Sequence, residues 1–274
     1  MPSLAFRAAG ALVGLAAGRS LALGDRPDGG LALTRILAEE LAAGRRDLQA
    51  LAHRWVARHQ SDSHDIDPET GAALAHMARH DAPPSQAAGQ GSDPLVRVLP
   101  VALAAYDVPR TLVSASYHIA ALTHPDPVVA WAAVAVNVAL ARFLQGKRDF
   151  VPDVVEALRN NAVPEELLAA VRRVPLSARD VPPEGVSQPG QALADAEAAL
   201  RLAYHEPVLE RGLRGIAAPG PVAAGRAGLA GALLGARDGV GAIPEGWTAR
   251  DDGNILGALA VRLVRVDSSA AASS

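Results

Sequence analysis

The chain has 274 residues; half of them are apolar but only 3% are aromatic, and none is cysteine. The 26 basic and 29 acidic residues give a formal net charge of −3 without a long basic run, so disulfides and thiolate chemistry are excluded and nucleic-acid binding by phosphate neutralisation is disfavoured. Because Ala, Leu and Val must fill the core, we predict closely packed helices in a single domain over residues 1–267, with a disordered tail over 268–274.

The first apolar stretch, Gly10–Leu21, follows Arg7 and has the charge and apolar run of a secretory signal. Its many Gly and Ala residues and few Leu residues favour a core helix instead. No other stretch is expected to be long enough in uninterrupted apolar residues to span a bilayer. We therefore predict a cytoplasmic protein that does not bind membranes.

Next along the chain, the turn-rich loop Gly24–Gly30 leads into a predicted helix over Leu31–Ala43. Asp28 lies where a carboxylate would accept hydrogen bonds from the free amides at the helix start. Apolar spacing predicts further helices at Asp47–Arg58, around His76 and His80, at Pro109–Leu122, Val128–Gln145, Phe150–Arg172 with a break at Val163–Pro164, Gln191–Tyr204, Val208–Ile216 and Ile255–Leu263. Irregular segments are predicted at 59–71, 83–94 and 174–190.

One pair of histidines, His76 and His80, has the four-residue spacing that places both side chains on one helical face. The polar loop His59–Gly71 lies nearby and supplies carboxylates, so metal binding is one interpretation. The spacing matches no specific motif such as HExxH, and the simpler interpretation is a solvated loop followed by two surface histidines.

The most distinctive stretch is Pro221–Trp247, which predicts a helix of small residues ending near Gly239 and a proline-containing turn. Its segments AGLAGALLGA and AIPEGW closely resemble the C-terminal signature of the ADP-ribosylglycohydrolase family, which includes dinitrogenase reductase-activating glycohydrolases. Gly10–Leu21 is similar to that family's GALLGLAVGDALG segment, Leu95–Leu103 to its GNGALMRVAPLAL segment and Thr123–Pro127 to its LTHPHP turn. The resemblance covers nearly all of residues 10–263.

This resemblance implies an all-α domain of orthogonally packed helices with a cleft built from loops at helix ends. In active relatives, two Mg²⁺-type ions in the cleft position ADP-ribose for cleavage of a glycosidic bond. The family's first TDDT-type motif aligns with residues 28–31, which read Asp, Gly, Gly, Leu, and the Asp and Thr ligands of its second motif align with Val222–Gly225. Hard cations need several oxygen ligands. We therefore predict that the magnesium pair is lost and that the protein holds no metal cofactor.

Two arginines accompany this loss: Arg19 lies where the family has Asp, and Arg226 directly follows the former second motif. Either guanidinium group could fill the vacated space and bind a phosphate or carboxylate. Alternatively, each could form a salt bridge with a carboxylate such as Asp25 or Asp28. The complete set of predicted cleft residues is Arg19, Asp28, Ser92, Asp93, His124 and Arg226.

Two functions follow from the resemblance and its departures. The preferred one is a metal-free, catalytically inactive protein that binds ADP-ribose or another small phosphorylated or anionic ligand. The alternative is a hydrolase of an ADP-ribosyl or related glycosidic bond that works without metal, through Asp28, Asp93 or Asp126 with arginine stabilisation. The sequence identifies no protein partner.

Overall fold

The computed structural model describes residues 2–24, 26, 28–176, 190–247 and 251–270. All regular structure in these residues is helical, which confirms the all-α prediction. The α-helices are α1 (Leu4–Leu23), α2 (Gly29–Ala42), α3 (Leu48–Ser61), α4 (Pro68–His80), α5 (Asp93–Arg97), α6 (Leu99–Ala104), α7 (Pro109–Ala121), α8 (Pro127–Leu144), α9 (Val151–Arg159), α10 (Glu165–Arg173), α11 (Gln191–His205), α12 (Leu209–Ile216), α13 (Pro221–Asp238) and α14 (Asp251–Ala270). Two short 3-10 helices, Val240–Ala242 and Glu245–Trp247, lie between α13 and α14.

Helices α1 and α13 form the centre of the fold and touch backbone to backbone. Glycines face carbonyl groups at successive turns: a Cβ added to Gly10 or Gly14 would lie closer than 3.0 Å to the carbonyl oxygen of Gly235 or Gly231, respectively. The spacing of the glycines in α1 and α13 therefore lets the two backbones approach to a distance that any side chain at these positions would prevent.

The other helices pack around this pair. Helix α14 covers α1 and contacts α2, while α11 and α12 pack on α13. Helix α8 is almost entirely buried and contacts α5, α6, α7, α9, α11 and α13. Its buried Asn137 donates hydrogen bonds to the carbonyl oxygen of Val98 (3.0 Å) and to Ser116 Oγ (2.8 Å), so this polar group helps to fix the register of α8.

Two helices, Leu4–Leu23 and Pro127–Leu144, are long and apolar enough to cross a bilayer by length and composition. From the sequence, only the first of these two stretches was expected to be long enough in apolar residues to span a bilayer. In both, more than half of the most apolar 18-residue window is buried inside the protein (56% and 78%), which is typical of core helices.

Several predicted boundaries need correction. The polar loop predicted at 59–71 spans only 62–67, because α3 continues to Ser61 and the Asp67–Pro68 pair starts α4. The loop predicted at 83–94 ends one residue before Asp93, where α5 begins. The last helix continues to Ala270, so the backbone is helical over 268–270, the first part of the predicted tail. Residues 271–274 and most of the predicted connection 174–190 lie outside the described residues.

Candidate functional site

A cavity of about 640 Å³ lies where the end of α1 meets the starts of α2, α4, α5, α11 and α13. The short N-cap and first-turn segments of these helices bring acidic side chains together: Asp28 caps α2, Asp67 caps α4, and Glu69 and Asp93 lie in the first turns of α4 and α5. Acidic residues are favoured at such positions because they accept hydrogen bonds from free amides and face the positive end of the helix dipole. Helix capping therefore explains why this cavity is lined by carboxylates.

Arg19 lies at the centre of this arrangement, with only 5% of its surface exposed. Its Nε and Nη2 donate to the two carboxylate oxygens of Asp28 at 2.6 and 2.7 Å, and its Nη1 donates to Asp93 Oδ1 at 2.9 Å. Burial by itself lowers the pKa of Arg19, but the two carboxylates outweigh burial and raise that pKa. The guanidinium group is thus a fixed positive charge that joins α1 to the starts of α2 and α5.

Two glycines make room for the Arg19 side chain. A Cβ on Gly30 would lie 2.7 Å from Arg19 Nη2, and a Cβ on Gly228 would lie 2.8 Å from Arg19 Cγ. A side chain at either position would therefore crowd the Arg19 guanidinium or its stem.

Asp67 and Asp93 form a hydrogen-bonded carboxyl pair in the cavity wall, and their pKa values move apart. Burial and the neighbouring charge of Asp93 raise the pKa of Asp67 to about 6. Burial also raises the pKa of Asp93, but Arg19, the hydrogen bond with Asp67 and the charge of Arg97 outweigh it and lower that pKa to about 2. A proton held by this pair therefore belongs to Asp67.

This shift predicts a specific dependence of stability on pH. The pKa of Asp67 is about 6 in the folded state and 3.8 when exposed, so its favourable contribution is complete below pH 3.8 and is lost as the pH rises through 6. We expect Asp67→Asn to remove this decline, so that the variant gains stability relative to the wild type between pH 4 and 7. Urea denaturation in the presence of a chelator measures the difference. A difference that stays constant over this range would contradict the assignment.

Behind this pair lies a third ionisable group, the guanidinium of Arg97, which is 1% exposed. It donates to Thr70 Oγ1 at 3.2 Å and Thr123 Oγ1 at 2.7 Å, and its Cζ lies 5.1 Å from the centre of the Trp55 ring. Burial lowers the pKa of Arg97, and the nearby charges of Asp67 and Asp93 oppose this effect. Arg97 therefore supplies positive charge to the cavity wall from the core side.

Glu69 extends from α4 towards the buried His124, whose Nε2 lies 3.2 Å from Glu69 Oε2. The same Glu69 oxygen accepts a 2.8 Å hydrogen bond from the amide of Gly91. The hydrogen bond with His124 lowers the pKa of Glu69, in opposition to burial. One potential ligand atom each from Asp67, Glu69 and His124 lies within 4.8 Å of the others.

Arg226 takes a different position from Arg19. Its Nε donates to Asp195 Oδ1 at 2.7 Å, which joins α13 to the fully buried carboxylate on α11. Burial raises the pKa of Asp195, and Arg226 and a hydrogen bond from Ser92 oppose this effect. Arg226 therefore forms a salt bridge, which was one of the two roles predicted for it. Its partner is Asp195, whereas the sequence analysis had suggested a carboxylate such as Asp25 or Asp28.

The structure brings four of the six predicted cleft residues into the cavity lining: Arg19, Asp28, Ser92 and Asp93. His124 is buried behind Glu69, and Arg226 pairs with Asp195. Asp126, which the hydrolase alternative included, caps α8 and accepts a hydrogen bond from Gln90. Asp25 lies outside the described residues.

The rings of His76 and His80 pack against one another in a tilted arrangement, with their centres 4.4 Å apart. Among the described residues, the only group of three potential metal ligands close together is Asp67, Glu69 and His124, which does not include this pair. The neighbouring polar loop does contribute to the site, because His64, Asp65 and Asp67 line the cavity.

Sequence reasoning missed Asp67, Glu69, Arg97 and Asp195. For Glu69 a signal was present: it follows Pro68 in the first turn of a helix, where acidic residues are favoured. Asp67 could have been found as the residue before a proline at a helix start. The partnership of Asp195 with Arg226 has no local signal, because 31 residues separate them.

A larger groove of about 890 Å³ lies between α7, α8 and α9, and Tyr117 and Trp131 contribute to its lining. None of the six predicted cleft residues lines it. The carboxylate-lined cavity is therefore the one that corresponds to the predicted cleft.

The fold and the cavity define an all-helical protein with a charged cleft between converging helix starts. The family model for ADP-ribosylglycohydrolase matches residues 28–272, so the chain belongs to the ADP-ribosylglycohydrolase family. A solved structure described as an ADP-ribosylglycohydrolase-related protein complex superposes with a TM-score of 0.80 at 24% identity, covering 97% of this chain and 99% of that chain. No curated protein matches the chain significantly.

Proposed function

We propose that this protein is a catalytically inactive member of its family that binds ADP-ribose, or a related phosphorylated ligand, without the family's magnesium pair. The observation that carries the proposal is the buried Arg19 guanidinium, which bonds both Asp28 and Asp93 inside the cavity. The permanent positive charge of the Arg19 side chain therefore neutralises carboxylates that could otherwise attract a hard cation.

The residues at the two former metal motifs support this proposal. Of residues 28–31 only Asp28 has a carboxylate, and Val222–Gly225 offer no side-chain oxygen at all. Mg²⁺ demands near-octahedral oxygen coordination, and two such ions need carboxylates from both sides of the cleft. The donor set does not fit two magnesium ions, so we assign no reaction step to them.

The distribution of charge suggests how the ligand is oriented. The carboxylates of Asp67 and Glu69 accept hydrogen bonds, which suits the hydroxyl groups of a ribose. The start of α13 also lines the cavity at Pro221 and Val222, and its N-cap Gly220 has no side chain to cap the free amides. A diphosphate suits this helix end, with Arg26 at the same cavity wall. A volume of about 640 Å³ is within the range of small-ligand pockets.

Calorimetric titration with ADP-ribose, in magnesium and in chelator, tests the proposal. We expect saturable binding with the same Kd in both buffers to within about twofold. We expect Val222→Trp, which places a large ring at the cavity wall, to weaken binding at least about tenfold, equivalent to about 1.4 kcal/mol.

The matched control is Val108→Trp, because Val108 and Val222 are similarly exposed (45% and 39%) and Val108 does not line the cavity. This control should bind like the wild type. Binding that requires magnesium, or an equal loss in both variants, would refute the proposal.

One observation favours the second candidate function, metal-independent hydrolysis. Asp67 and Asp93 face one another in the cavity wall, so one carboxyl can donate a proton while the other stays ionised. In such a reaction Asp67 would protonate the leaving group as the glycosidic bond breaks. The oxygen of a water molecule would bond to the anomeric carbon, and the proton that this water loses would return to the ionised Asp67. Asp28 and Asp93 are less suited to proton transfer because Arg19 holds both.

Release of ADP-ribose from an ADP-ribosylated peptide, measured in chelator, separates the two functions. The binding function predicts no release above a protein-free blank. The hydrolase predicts release that Asp67→Asn abolishes and that His76→Gln leaves unchanged.

A further inference from the structure

We propose that Asp67, Glu69 and His124 bind a single divalent cation of the Zn²⁺ class. The cluster differs from the family's metal motifs, which align with residues 28–31 and 222–225. The inference goes beyond the proposed function, which does not require this ion.

The geometry places two carboxylates and one imidazole on one small volume. Their potential ligand atoms lie within 4.8 Å of one another, and the His124 side chain is only 1% exposed. Zn²⁺ binds carboxylate oxygen and imidazole nitrogen at about 2.0–2.2 Å, so small rotations of the two carboxylates close the site. An imidazole ligand favours Zn²⁺ over Mg²⁺, which prefers oxygen.

A second, independent observation points to a missing positive partner. Asp67 Oδ2 is buried and has no hydrogen-bond donor among the described residues. Its neighbour across the cavity wall is another carboxyl group, that of Asp93. A cation bound by Asp67, Glu69 and His124 would displace the proton that Asp67 otherwise holds against Asp93, as metal ligands release their protons on binding.

Each proposed ligand is also held in place from outside. The amide of Thr70 donates to Asp67 Oδ1 at 2.9 Å, and the amide of Gly91 donates to Glu69 Oε2 at 2.8 Å. His124 Nδ1 lies 3.1 Å from Thr123 Oγ1, so a proton on Nδ1 leaves the Nε2 lone pair directed at the cluster. Such outer hydrogen bonds are characteristic of metal ligands.

The experiment is a titration of the full chain, freed of metal by chelator, with ZnCl₂ alone, followed by calorimetry and thermal melting. We expect one equivalent of Zn²⁺ to bind and to raise the Tm, while equimolar MgCl₂ has no effect. Asp67→Asn and Glu69→Gln should each weaken Zn²⁺ binding at least about tenfold.

His76→Gln is the matched control for zinc binding by surface histidines, and it should bind one equivalent like the wild type. Melting of each metal-free variant shows that it is folded; Glu69, with a side chain 23% exposed, is the safer of the two positions. No saturable Zn²⁺ binding by the wild type, or binding that neither substitution weakens, would overturn the site. Neither result bears on ADP-ribose binding in chelator, so the two proposals fail separately.

Discussion

Replacing Gly14 with alanine is expected to destabilise the protein by about 3 kcal/mol, the upper end of the usual cost of overpacking, because the added Cβ would meet backbone rather than a movable side chain. It would lie closer than 3.0 Å to the carbonyl oxygen and carbon of Gly231, and the helices α1 and α13 would have to separate. For a chain of this size, the loss corresponds to a fall in Tm of about 6–12 °C. Thermal and urea denaturation measure it.

The matched control is Gly215→Ala in α12, where an added Cβ meets nothing within 4 Å. Alanine is a better helix former than glycine, so this variant should be unchanged or more stable by up to about 1 kcal/mol. A Gly14→Ala protein as stable as the control would show that α1 and α13 do not cross at these glycines.

The second large effect is expected from Arg19→Ala, which leaves Asp28 and Asp93 without their shared guanidinium. Removing one side of a buried ion pair costs about 3–5 kcal/mol, because the remaining charges are neither hydrated nor paired. The Arg19 side chain is 6% exposed and that of Asp28 is 8% exposed, so this cost applies. Arg19→Lys should recover only part of it, since an ammonium group lacks the planar fork that bonds both Asp28 oxygens.

Arg172→Ala is the control for the loss of an arginine ion pair at the surface. Arg172 and Glu165 are 3.4 Å apart with side chains 42% and 78% exposed, so the pair contributes at most about 0.5 kcal/mol. Equal, small losses in Arg19→Ala and Arg172→Ala would mean that the Arg19 network does not hold the cavity together. Urea denaturation of both variants at one pH decides between these outcomes.

The Arg19 network also bears on the proposed absence of the magnesium pair. A magnesium ion and a guanidinium both neutralise carboxylates, but the ion also orients and activates water whereas the guanidinium only donates hydrogen bonds. Under the proposed function, Arg19 neutralises the cleft without supplying the chemistry of the metal. Gly30 and Gly228 leave the space that the Arg19 side chain fills.

The sequence by itself determined the helical architecture. The predominance of Ala, Leu and Val over aromatic residues predicted closely packed helices, because small side chains let helices approach one another. Capping residues such as Asp28 also indicated where helices start, since the free amides at a helix start are local features.

Only the tertiary structure decided which charges meet. Arg19 pairs with Asp93, 74 residues away, Arg226 pairs with Asp195 rather than a cleft ligand, and His124 meets Glu69 across 55 residues. These partners lie on helix starts that converge through packing of the whole domain. Local spacing carries no information about that convergence, because an ion pair depends on distances between elements and on burial, both of which the complete core sets.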